Sequence, residues 1–198
     1  MAKTPSLSVS TRALLTAPIV PPRRGVSATP PAACTIAAVV IRRLRDAAEL
    51  DLVEPLFRGM VEHHRAVAGM EWPVRESGEA WRRRRAQYAE WLAGKGFWLL
   101  LAVDETDAAI GYAALKVVES GPTWDLGERI AELESLAVAE QARGSGIGAE
   151  LMSESRELLR AEGISHWEVG VVESNAGAVR FYEREGFRRY YRYMLADV

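Results

Sequence analysis

The chain carries one cysteine in 198 residues, Cys34. A lone thiol has no internal partner, so a disulfide framework is excluded and a reducing compartment, the cytoplasm, is expected. No apolar run approaches the roughly 20 residues of a membrane-spanning helix, so no membrane partner is expected. The formal net charge of −2 supplies no bulk field toward nucleic acid or an anionic surface, and neither is an expected partner. Histidine is scarce, at three residues. His63 and His64 are adjacent and point about 100° apart on a helix, so they are not the His-x-x-x-His pair of a metal centre. His166 opens a predicted strand and suggests no role. No metal is expected.

Acidic residues are absent from residues 1–33, which are rich in Ser, Thr, Ala and Pro. The composition approaches that of a transit peptide without its helical period. It also offers too little apolar surface to order itself. Residues 1–34 are therefore expected to be a disordered extension, and 35–198 a single domain, a size that supports one core.

Within that domain, "AAVVIRRL" predicts a strand. Asp46, with Glu49 three residues on, has the form of a capping box. Leu50, Val53, Phe57, Met60 and His64 follow at helical spacing, with Pro55 expected to kink that helix. A second helix is expected from Ser77 to Gly94, with Trp81, Tyr88 and Leu92 on one stripe. Its "WRRRR" run, Arg82 to Arg85, reads as a solvated helix face flanked by glutamates. "GFWLLLAVD" and "AIGYAALKVVES" predict a hairpin through "DETD". The strand "IAELESLAV" leads into "QARGSGIGAELM". Then come a helix from Gly146 to Glu162, a strand "HWEVGVV", a helix from Asn175 to Glu185 and a last strand "FRRYYRYML". This order predicts an α/β or α+β arrangement around one mixed sheet.

A strand ending at Val138, a glycine-rich turn and a helix N-terminus together make an anion site. The first N–H groups of a helix lack partners, and the helix dipole adds partial positive charge. The even spacing of Gly144, Gly146 and Gly148 does not fit the Gly-x-Gly-x-x-Gly dinucleotide fingerprint, and no Gly-Lys-Ser/Thr follows as in a triphosphate loop.

Two motifs, "QARGSG" and "NAGAVRFYEREGF", closely resemble those of the GNAT superfamily of acetyl-CoA-dependent N-acetyltransferases. Gln141, Gly144 and Gly146 match the first signature. Asn175, Tyr182, Glu183, Gly186 and Phe187 match the second. Just before the first signature, Glu140 is a departure, where relatives often carry Pro. The resemblance extends more weakly over residues 36–198. It implies one mixed, largely antiparallel sheet with a splayed parallel strand pair and helices on both faces.

The resemblance also implies acetyl-CoA as co-substrate. Gln141, Arg143, Gly144, Ser145, Gly146, Ile147 and Gly148 would hold its pyrophosphate. Leu136, Ala137 and Val138, on the opened edge of the strand, would lie along its pantetheine arm, and Asn175 and Tyr182 would complete the cofactor site. The implied reaction is transfer of acetyl to a primary amine of a small molecule or a protein, by direct attack in a ternary complex. Other acyl donors or acceptors, and a coenzyme A sensor without turnover, remain alternatives. A homodimer through the aromatic last strand is possible by family analogy.

Direct acyl transfer needs a polarised carbonyl, a neutral amine, a proton acceptor and a donor to the leaving thiolate. Deprotonating a lysine-like amine of pKa about 10.4 costs roughly 4–5 kcal/mol at pH 7. By the resemblance, the Leu136 N–H faces the oxyanion and Tyr182 is the acid. The base is open between two glutamates. The resemblance favours Glu132. Distance favours Glu134, roughly 7 Å along the strand from Leu136 against about 13 Å for Glu132. The two share a face unless a bulge intervenes. Some relatives take a base from the next strand, at a position that is Gly170 here. The acceptor is expected between His63–Arg75 and "GPTWDLGE", where Glu71 with Trp72 and Trp124 with Asp125 could hold a cation.

Overall fold

The computed structural model describes residues 39–68 and 72–197. The expectations for residues 1–34, Cys34 and Glu71 lie outside the described residues. The elements in order are β1 (Val40–Leu44), a 3-10 turn (Ala47–Leu52), α1 (Glu54–Ala68), α2 (Ser77–Ala93), β2 (Phe97–Val103), β3 (Ala109–Glu119), β4 (Arg129–Val138), a second 3-10 turn (Glu140–Ala142), α3 (Ile147–Ala161), β5 (Trp167–Glu168) and α4 (Ala176–Arg184). The strands form one sheet in the order β1-β2-β3-β4-β5. The first three junctions are antiparallel and the last, β4 to β5, is parallel.

Every residue of β2 is buried, because the sheet is covered on both faces. Successive side chains point to opposite sides. Leu99 and Leu101 pack with Phe57, Trp81 and Tyr88 of α1 and α2. Trp98 and Leu100 pack with Ile147, Leu151 and Met152 of α3. The sheet thus separates two apolar layers, here called the α1/α2 face and the α3 face.

Four expectations are corrected. Pro55 does not kink a helix. It is the second residue of α1, which starts after the 3-10 turn has ended at Leu52. In the first turn its missing N–H has no intrahelical acceptor to lose. The capping box is only half formed: Asp46 accepts from the Ala48 N–H at 2.8 Å, but Glu49 turns to Arg42 at 2.5 Å.

The strand expected over residues 166–172 contains only Trp167 and Glu168, because the chain leaves β4 after two register positions. The last strand, expected over residues 187–195, does not form. With β5 so short there is little edge to pair with, and Tyr191, Tyr193, Met194 and Leu195 are exposed. The strand that would pair across a twofold axis is therefore missing from the described residues.

Candidate active site

The parallel pair holds at Ala131–Trp167 and Glu132–Glu168 and then opens. Beyond it, no strand among the described residues lies beside the edge of β4. Its composition is set by a bulge. Leu115 pairs with Leu133, but Ala114 pairs with Ser135, so Glu134 is an extra residue in β4. One inserted residue reverses which main-chain groups face each neighbour. Before the bulge, Ala131 donates its N–H to His166 on the β5 side. Eight residues later Ala139 donates to Ile110 on the β3 side, where regular alternation would have aimed it the other way. In this register Ala137 spends its main chain on β3, and Leu136 and Val138 turn theirs to the open edge.

At the end of that edge lies the glycine loop. The turn Glu140–Ala142 is anchored by buried Ala142, and Ser145 Oγ donates to the Ala142 carbonyl at 2.6 Å. Arg143 Nε reaches the Val138 carbonyl at 3.4 Å. Gly144 and Gly146 have φ of +79° and +97°, a region that L side chains adopt only with strain. Gly146 is the N-cap of α3 and offers no side-chain cap, so the first-turn N–H groups of Ile147 and Gly148 stay free for a ligand. A Cβ on Gly144 or Gly146 would meet nothing within 4 Å, so this side of the loop is open. Gly148 differs: its Cβ would stand 3.4 Å from the Phe181 ring, so it serves the close packing of α4 on α3. Gln141 is exposed at the loop's entrance.

Glu132 and Glu134 do share the α1/α2 face, and the bulge adds Ser135 to it. Their surroundings differ. Glu134 Oε2 accepts from Arg84 Nη1 at 2.7 Å, with the two side chains only 24% and 21% exposed. The Glu132 carboxyl has no hydrogen bond or ion pair among the described residues. Lys116 lies opposite it on β3 and Glu168 beside it on β5. Burial, then the charge of Glu134, and also Glu168, push its pKa up, against a smaller lowering by Lys116. Lys116 Nζ itself sits 4.3 Å from the Trp91 ring centre. A carboxylate with a raised pKa and a free edge is a better proton acceptor than one committed to a guanidinium.

Tyr182 projects from α4 into the α3 face, edge-on to Phe181 and Phe187 at 5.2 and 5.5 Å. Burial raises its hydroxyl pKa to about 12, so it carries its proton at neutral pH. Asn175 is the N-cap of α4. Its Oδ1 accepts from the Ala178 N–H at 3.0 Å, and its Nδ2 lies 3.4 Å from His63 Nε2. The Asn175–His63 contact and the bond from Ser174 Oγ to the Val67 carbonyl tie the start of α4 to α1.

Arg84 is the residue that sequence reading misses. It looks like one of four equivalent arginines, and the others do pair outward: Arg82 and Arg83 with Glu79, and Arg85 with Asp51. The available signal is spacing. Arg84 lies three residues after Trp81 and four before Tyr88, on the buried stripe. Of the acceptor candidates, Trp124 is 51% exposed and stacks edge-on with Tyr190 at 5.6 Å. His166 donates its Nδ1–H to the Leu126 carbonyl, 3.1 Å away, and so ties the same loop to β5. Gly170 is exposed and has no side chain to contribute.

The family model described as the Acetyltransferase (GNAT) family matches residues 66–187. Mycothiol acetyltransferase of Renibacterium salmoninarum is 33% identical over 101 residues, covering 51% of this chain and 28% of that protein. Mycothiol acetyltransferase of Stackebrandtia nassauensis is 35% identical over 120 residues, 60% of this chain and 35% of that protein. The chain thus spans about a third of the length of these curated relatives. Among solved structures, a GCN5-related N-acetyltransferase from Ralstonia eutropha matches with a TM-score of 0.66 at 20% identity, over 81% of this chain and 99% of that one. An aminoglycoside 6'-N-acetyltransferase from Acinetobacter baumannii matches at 0.60 and 16% identity, over 81% and 98%. These two share the fold. With the family model running from the end of α1 through the glycine loop to Phe187, the chain belongs to the GNAT family of acetyltransferases.

Proposed function

We propose that the protein transfers an acetyl group from acetyl-CoA to a primary amine, by direct attack while both substrates are bound. The reading is carried by the bulge in β4, which turns Leu136 and Val138 toward an edge that β5 leaves open and that ends at the glycine loop. The residues fit such a co-substrate: free first-turn N–H groups and an open side at Gly144 and Gly146 suit a pyrophosphate, and an unpaired strand edge suits an amide-bearing arm.

On this reading Arg143, Gly144, Ser145, Gly146, Ile147 and Gly148 hold the phosphates, assisted by Gln141. Leu136 and Val138 bond the arm, and Ala137 fills space behind it. The Leu136 N–H stabilises charge on the thioester oxygen. Glu132 takes the amine's proton, directly or through water, and Tyr182 donates to the leaving thiolate across the opening. Asn175 supports the site by fixing the start of α4.

The curated relatives are named mycothiol acetyltransferases, and this favours a small-molecule acceptor over a protein one. The test is release of thiol from acetyl-CoA across a panel of small amines and amine-bearing peptides. Turnover with a small amine supports the reading. Thermal stabilisation by acetyl-CoA with no turnover on any amine replaces it with a sensor role. Preference for a longer acyl-CoA moves it to another acyl transfer.

A further inference from the structure

The bulge that shapes the open edge is held from one side by one helix. Its two residues, Glu134 and Ser135, each meet a side chain of α2. Arg84 binds the Glu134 carboxylate at 2.7 Å, and Tyr88 donates its hydroxyl to Ser135 Oγ at 3.0 Å. Arg84 and Tyr88 are one helical turn apart, so a single rigid face of α2 grips both. The grip is itself packed. The Arg84 guanidinium lies 5.5 Å from the Tyr88 ring centre and 5.7 Å from that of Trp91. Tyr88 is fully buried and stacks on Phe97.

The charges that act on Glu132 come from three strands: Lys116 of β3, Glu134 of β4 and Glu168 of β5. Arg84 of α2 binds the second of these. If Glu134 loses its guanidinium, a bare carboxylate is left beside Glu132 on the same face. Resting on the acetyltransfer reading, we propose that Arg84 is a positioning residue for that reaction: it fixes the β4 bulge through Glu134 and, by neutralising that carboxylate, leaves Glu132 as the base. Arg84 touches no reacting atom. It acts through Glu134 on the direction of the Leu136 N–H and on the proton affinity of Glu132.

The experiment compares wild type with Arg84→Gln, Arg84→Lys and the double variant Arg84→Gln/Glu134→Gln. The Glu132 carboxyl is titrated by NMR in the unliganded protein, assigned with Glu132→Gln, and kcat and KM for the best amine are measured against pH. In Arg84→Gln the Glu132 titration and the acid limb of kcat/KM move up by about one pH unit. kcat falls by ~10–100-fold with a smaller change in KM, as expected when the oxyanion donor shifts. Acetyl-CoA affinity falls less than kcat, because the glycine loop that holds the phosphates is untouched. Arg84→Lys keeps the wild-type limb, and the double variant returns it to the wild-type position or below.

A Glu132 titration that does not move in Arg84→Gln, or that the double variant fails to restore, overturns the inference. Should Arg84→Gln fold poorly, the single variant Glu134→Gln, of nearly unchanged side-chain volume, decides instead: it removes the carboxylate that Arg84 holds, and a Glu132 titration that does not then move down overturns the inference. A wild type that turns over no amine refutes the acetyltransfer reading instead, and the NMR titration then still decides whether Arg84 governs Glu132.

Discussion

Replacing Gly146 and Gly148 separately by alanine separates two reasons for a glycine that the sequence shows as one repeated pattern. Gly146 has φ +97° and ψ −13°, and an added Cβ meets nothing within 4 Å. The cost of Gly146→Ala is therefore conformational, roughly 1–2 kcal/mol for an L residue held in left-handed geometry. In a domain of this size 1 kcal/mol shifts the melting temperature by about 2–4 °C, so a fall of ~2–8 °C is expected. The methyl also stands on the open side of the loop. Acetyl-CoA should bind ~10-fold more weakly, equivalent to about 1.4 kcal/mol.

At Gly148 the backbone is helical, and the Cβ would stand at van der Waals distance from Phe181, 3.4 Å, on the side facing α4. Alanine is a better helix former than glycine by up to about 1 kcal/mol, which offsets a small displacement of that ring. Gly148→Ala should leave both melting temperature and acetyl-CoA affinity near wild type. Thermal melting with and without acetyl-CoA, together with calorimetric titration, measures both quantities. Equal effects of the two substitutions, or an unchanged melting temperature and affinity in Gly146→Ala, would refute the reasoning about the loop.

Other expected outcomes concern the chemistry and the caps. Tyr182→Phe should lower kcat by ~10²-fold or more, with the acetyl-CoA dissociation constant nearly unchanged; because the hydroxyl pKa is raised to about 12, Tyr182 should produce no basic limb in the pH profile below pH 10. The pKa of Glu132 is raised, so its carboxylate is lost as pH falls through a value above the usual carboxylate range, and activity should fall there; Glu132→Gln should remove that limb along with most of the activity. Asn175→Ala removes the cap of α4 and should cost about 1 kcal/mol in denaturant unfolding. If Asn175 also serves the co-substrate, acetyl-CoA affinity falls with it. Leu151→Ala, at a fully buried position against the sheet, should cost ~2–5 kcal/mol with no preferential effect on kcat.

The glycine loop and both helices that border it are legible in the sequence because local chemistry dictates them. Positive φ demands glycine, Asn175 caps its helix with its own side chain, and the apolar period of α3 matches its buried residues from Ile147 to Leu159. The expected end of the domain is not legible in the same way. "HWEVGVV" and "FRRYYRYML" have strand composition, but a strand exists only where a neighbour pairs with it. β5 leaves β4 after two positions and provides no such neighbour. The choice between Glu132 and Glu134 was open for a related reason. Their spacing along β4 says nothing of Arg84, fifty residues earlier, which engages one of them. Pro55 shows the limit from the other side: its effect depends on whether it falls in the first turn or the middle of a helix, and the apolar period runs through both segments without marking the boundary.

Glu134 also fixes the frame in which the rest of β4 is read. The strand before it and the strand after it are each regular, but they are out of step by one residue. Deleting Glu134 would bring the two segments back into step without moving either: Leu133 would still pair with Leu115 and Ser135 with Ala114, now as neighbours in a regular ladder, and Leu133, Leu136 and Val138 would keep their sides. The loss would be the local bend and added twist that an extra residue gives its strand, together with the grip of Arg84. A substitution of Glu134 keeps the extra residue and its bend, whereas a deletion straightens the strand. Length therefore governs the curvature of the open edge, and identity at this position governs what holds it.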